Sequence, residues 1–197
     1  MAAVTSSYDS HLEEEEEAIG WTEDELEMVP EKVRYEIEDG ILSVSPRPAL
    51  WHQRFLLIVA TMLDSQCPEE WTPVPEAEIR VYENDKITQS RSPDLMVVPT
   101  KLTTTEADRG WVYPQEIALA LEIVSRSSRI TDRMTKAALY AEWKIPLYLR
   151  VESKPRLALY EYRLDTTTGQ YRTPMEYLDV FETDDPFPIP LELSQLA

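Results

Sequence analysis

The chain has 197 residues, 43% of them hydrophobic, which is enough for one domain with a buried core, and a formal net charge of -18. No stretch approaches the roughly 20 apolar residues that span a bilayer, and the first residues carry neither the basic nor the apolar region of a secretory signal. The single cysteine, Cys67, excludes an internal disulfide and a cysteine-based structural zinc site, so a cytoplasmic protein outside the membrane is expected, with Cys67 a partly buried side chain after a helix.

The charge is unevenly spread. Residues 1–45 hold 14 acidic and 2 basic side chains, whereas Glu122 to Arg156 reverses the balance with 8 basic against 4 acidic. An acidic chain argues against a broad nucleic-acid-binding face, but the local reversal surrounds the stretch that carries the chemistry below. Some of those bases can equally solvate a helix face.

Residues 1–18, with the run Glu13 to Glu17, contain too little apolar surface to offset the entropy of ordering and read as a flexible acidic tail. An arm that mimics nucleic acid is the functional alternative. A single domain is expected over 19–197. Trp21-Thr22-Glu23-Asp24-Glu25-Leu26 marks a helix start: Thr22 and Glu25 can cap each other, Trp21 can staple against Leu26, and Pro30 stops the helix. Arg34 to Val44 reads as a hairpin about Asp39-Gly40, with Tyr35, Ile37, Leu42 and Val44 facing inward.

After Pro46 and Pro48, apolar residues at helical spacing (Phe55, Ile58, Val59, Met62, Leu63) predict a helix over 51–63. His52 lies in its first turn, where a surface or hydrogen-bonded role is the ordinary one, though it is near enough to the hairpin to join a site. Glu76 to Tyr82 alternates as a strand, Leu95 to Val98 is a short buried strand, and Thr100 to Gly110 is a surface loop that could cover a cleft. Ile117 to Val124, the most hydrophobic segment, is expected to be the central strand. Asp132 to Trp143 is helical, with Thr131 as cap and Pro146 as stop. Leu147 to Val151 and Leu157 to Tyr162 are further strands, Thr166 to Gly169 is a turn, and the proline-rich end from Pro186 is expected to lie extended on the surface.

A carboxylate inside an apolar strand is costly unless something compensates its charge, and Glu122 sits in such a strand. It can turn to the sheet edge, or pair with an arginine of the following loop. Alternatively Asp94 and Glu122, on neighbouring strands, share Mg²⁺ or Mn²⁺, with the Ile123 carbonyl as a further ligand. Asp132, Lys136 and Tyr140 fall on one helical face, with Met134, Ala137, Ala138 and Ala141 on the packed side. Lys136 could then orient a water or neutralise developing charge, or simply pair with Asp132.

Asp94 after Pro93, Glu122 in Glu122-Ile123-Val124-Ser125, and Lys136 together resemble the PD-(D/E)XK nuclease superfamily. More narrowly, Tyr35 to Gly40, His52-Gln53, Ser92 to Leu95, Leu121 to Ser128, Asp132, Lys136 to Tyr140 and Pro146 to Tyr148 resemble the Uma-type family of restriction-endonuclease-like proteins, over about residues 20–195. The superfamily places its lysine two residues after the glutamate, a position held here by Val124. The resemblance implies that the lysine has moved to the helix as Lys136, and that Glu36 is an additional acid near the metal. It further implies an α/β fold with a mixed central sheet flanked by helices, extended by an N-terminal helix and β-hairpin. A Mg²⁺-dependent endonuclease acting on DNA follows from it, as does a possible homodimer. A non-catalytic module that kept the fold is the rival reading.

Overall fold

The computed structural model describes residues 19–30, 33–44, 47–124 and 135–196. The expected acidic tail, Thr131, Asp132, Met134 and the loop after Val124 lie outside them.

In chain order, the first elements are helix α1 (Glu23–Glu27), the hairpin β1 (Tyr35–Glu38) and β2 (Ile41–Val44), and helix α2 (Leu50–Asp64). Strands β3 (Trp71–Pro75), β4 (Glu78–Glu83), β5 (Lys86–Arg91) and β6 (Leu95–Pro99) follow, then the short helix α3 (Lys101–Thr104), β7 (Trp111–Val112) and β8 (Leu119–Val124). Helix α4 (Ala137–Glu142) leads to β9 (Leu147–Glu152), β10 (Ala158–Asp165), β11 (Gln170–Tyr171), β12 (Met175–Tyr177), β13 (Val180–Thr183) and β14 (Ile189–Glu192).

The capping box forms as the sequence predicts. Glu25 N donates to Thr22 Oγ1 at 3.3 Å and Thr22 N to Glu25 Oε2 at 2.8 Å, while Trp21 packs with Leu26, Ile37 and Ile87. The β1–β2 turn uses positive φ at Asp39 (48°) and Gly40 (75°), the backbone an Asp-Gly hairpin needs. Ile37 is fully buried, but Val44 is 66% exposed, because β2 is the outer strand of its sheet.

Two sheets divide the work. A five-stranded sheet runs β2-β1-β5-β4-β7. A mixed sheet runs β11-β10-β9-β8-β6-β3, with β8 and β9 parallel and β12 paired to β10. Alternation along β8 sorts its side chains into two layers. Leu119, Leu121 and Ile123 meet Phe55, Leu56, Val59 and Leu63 of α2, whereas Ala120 meets Tyr140, Ile145 and Tyr148 on the other face. Burying a leucine of this kind fully is worth about 1.5–3 kcal/mol.

Several expected elements are corrected. Glu76 begins no strand: it sits in a turn at φ 54°, and β4 starts at Glu78. Trp71–Pro75 is a strand despite two prolines, because it is an edge strand of the mixed sheet, where a missing N–H need not break the ladder. The 100–110 loop contains α3, and Ala138 is exposed while Ala141 is buried. The C-terminal segment does not lie on the surface. β13 and β14 pair, and Phe181, Phe187, Ile189, Leu191, Leu193 and Leu196 close the α2 side of the core, the period-two spacing overriding the prolines. No described helix is long and apolar enough to cross a membrane.

Candidate active site

Asp94 immediately precedes β6, whose antiparallel register sets Leu95 opposite Leu121 of β8. The register therefore brings Asp94 beside Glu122. Its carbonyl accepts from Glu76 N at 3.1 Å, anchoring the turn that aims the side chain. Asp94 is 8% exposed, and its Oδ2 accepts two bonds: from Ile123 N at 2.7 Å and from His52 Nε2 at 3.0 Å. Ile123 thus reaches the site through its amide as well as lying next to Glu122.

Glu122, 3% exposed, is held from α4. Lys136 Nζ donates to its Oε1 at 2.7 Å and the Tyr140 hydroxyl to the same atom at 2.8 Å. The expected shared face of Lys136 and Tyr140 is real, and Lys136 leans toward the strand ends. Burial, then the Glu122 charge, hold the Tyr140 phenol well above its ordinary value, with the Glu36 charge contributing as well. Tyr140 therefore stays a donor at neutral pH.

Glu36 is placed by the other sheet. Arg91, 4% exposed, donates from Nη1 to the carbonyls of Ile37 (2.5 Å) and Ser90 (2.9 Å), and its guanidinium pairs with Glu38 at 2.9 Å and Glu36 at 3.9 Å. The hairpin thereby brings a third carboxylate within electrostatic reach of Tyr140 while Asp94 and Glu122 remain the close pair.

His52 and Arg150 complete the surroundings. Of the surface and hydrogen-bonded roles open to His52 in the sequence, the structure shows the second: it is buried and bonded to Asp94. Burial pushes its imidazole down, but the hydrogen bond and charge of Asp94, with Glu76, outweigh this and leave it raised. Arg150 of β9 is the register partner of Glu122; its guanidinium lies over Tyr160 and Tyr162 at 4.5 and 5.2 Å and pairs with Glu152 at 3.2 Å. A charge in an apolar strand was the available signal for Arg150, as it was for Glu122. Among the described residues, no group of three or more His, Cys, Asp or Glu stands together in a way that could hold a metal ion.

A family model named Uma2, described as "Putative restriction endonuclease", matches residues 22–195. A crystal structure of a "putative nuclease belonging to DUF820" from Anabaena variabilis superposes with a TM-score of 0.67 at 13% identity, covering 88% of this chain and 95% of that one, which shows a shared fold. No curated protein matches the sequence.

Proposed function

The chain belongs to the Uma2 family of restriction-endonuclease-like proteins, and on that footing we propose that it is a metal-dependent endonuclease hydrolysing phosphodiester bonds in DNA. One observation carries the reading: two buried acids, Asp94 at the start of β6 and Glu122 on the adjacent β8, stand side by side, with Lys136 at the start of α4 hydrogen-bonded to Glu122. A scaffold has no need of two such charges there, and burying them is costly.

The donor set fits Mg²⁺ or Mn²⁺. Such a cation takes one or two carboxylates and leaves other positions to water and substrate phosphate, so a third acid is not required. Both hydrogen bonds to Asp94 fall on Oδ2, which leaves Oδ1 as its ligand atom; Glu122 and the Ile123 carbonyl would supply the rest. When bound, the cation supplies Lewis acidity and a water of lowered pKa. Lys136 then orients the attacking water or neutralises charge developing on the phosphoryl oxygens, and Glu36 adds a more distant carboxylate. Cutting both strands of a duplex would call for two copies of the chain, so a homodimer belongs to the proposal.

The Lys136–Glu122 ion pair favours a second reading, a non-catalytic module in which the lysine has replaced the cation. Titration of Mn²⁺ into wild type and Glu122→Ala with a short DNA duplex present, followed by a plasmid-cleavage assay, separates the two. Saturable binding lost in the variant, together with nicking that Asp94→Ala abolishes, is the expected result. Absence of binding in both proteins sinks the endonuclease reading.

A further inference from the structure

We infer that His52 is a positioning residue of this site, fixing which oxygen of Asp94 meets the cation; the inference rests on the endonuclease reading above. His52 is 6% exposed in the first turn of α2, 42 residues from Asp94 in sequence, and its Nε2 lies 3.0 Å from Asp94 Oδ2. A carboxylate only accepts, so Nε2 carries the proton. The Ile123 amide donates to the same oxygen at 2.7 Å. Two donors, one on a helix and one on a strand, hold Oδ2 and leave Oδ1 for the cation.

The other ring nitrogen sharpens the assignment. Among the described residues, buried His52 Nδ1 has no hydrogen-bond partner, so the ring is not kept there by a network of its own. Leaving a buried polar atom unpaired is costly, and a residue chosen for packing alone would avoid that by being leucine or phenylalanine. The bond to Asp94 is what histidine supplies at this position. Donors of this kind that hold a metal-binding carboxylate typically change metal affinity by about 10- to 100-fold when removed.

The test measures Mn²⁺ affinity by calorimetry in the presence of a DNA duplex, for the full chain and for His52→Leu, His52→Phe and His52→Gln. Leucine and phenylalanine remove the donor; glutamine places its amide N–H near the Nε2 position. A loss of about 10- to 100-fold in the donor-free variants, restored by glutamine, is expected. Unchanged affinity in a folded donor-free variant overturns the inference, and so does a loss that glutamine fails to restore, since His52 would then bind the cation itself. Should both donor-free variants fail to fold, nitrogen-15 spectra of the wild-type imidazole decide: Nε2 protonated before and after saturation with Mg²⁺ supports positioning, and Nε2 deprotonated by Mg²⁺ overturns it. A wild type that binds no Mn²⁺ with DNA instead refutes the endonuclease reading, which is a separate failure.

Discussion

Lys136 and Tyr140 are bound to the same atom: Nζ and the phenol hydroxyl both donate to Glu122 Oε1, at 2.7 and 2.8 Å, from positions one helical turn apart. Breaking a buried ion pair by removing one partner costs about 3–5 kcal/mol. Lys136→Met is therefore expected to lower unfolding stability by that amount, and adding Glu122→Gln should recover part of it, because the amide oxygen still accepts from Tyr140. Urea denaturation of the single and double variants checks this. A Lys136→Met protein as stable as wild type would mean that the pair is not shielded from water.

Tyr140→Phe keeps the ring against Trp143 and Tyr148, at centroid distances of 5.9 and 5.2 Å, and removes only the hydroxyl. The expected cost is about 1–3 kcal/mol, the penalty for withdrawing a donor from a buried acceptor. The same urea series measures it, and a neutral substitution would show that the Tyr140 hydroxyl is not needed to hold Glu122.

Phe181 is fully buried and packs edge-on against Tyr177 at 5.1 Å. Phe181→Ala should cost about 3–5 kcal/mol by loss of burial and the cavity left behind. Thermal unfolding of this variant distinguishes a core segment from a surface strap, which would lose well under ~1 kcal/mol.

Glu23 docks α1 onto the five-stranded sheet through Arg80 and the Tyr82 hydroxyl. Burial pushes its carboxyl up, but those two bonds outweigh it and hold the group below its ordinary 4.5. A depressed carboxylate contributes stability that is present above the unfolded value and is lost as pH falls through the folded one. Glu23→Gln should therefore flatten the fall in Tm below about pH 4.5 without changing its slope near neutrality, as read from thermal unfolding across pH.

Local patterns were legible because their causes are local. The capping box needs only Thr22 and Glu25, the hairpin turn needs Asp39 and Gly40, and the central strand is a run of apolar residues that Glu122 alone interrupts. What escaped was decided by distant partners. The prolines of β3 are tolerated because no described strand pairs beyond them, a fact of sheet order and not of composition. Phe187, Ile189 and Leu191 carried a period-two signal that their intervening prolines disguised. The bond between His52 and Asp94 spans 42 residues, and no spacing rule reaches that far.

β8 and β9 each carry a charge at their fourth position, Leu-Ala-Leu-Glu and Leu-Tyr-Leu-Arg, and the parallel register sets Glu122 beside Arg150. A slip of either strand by one residue would turn its charge into the layer filled by α2 and send its leucines toward Tyr140. Assembly of the sheet is thus coupled to the placement of these charges: a misaligned chain cannot bury its strands without stranding Glu122 or Arg150 in an apolar layer.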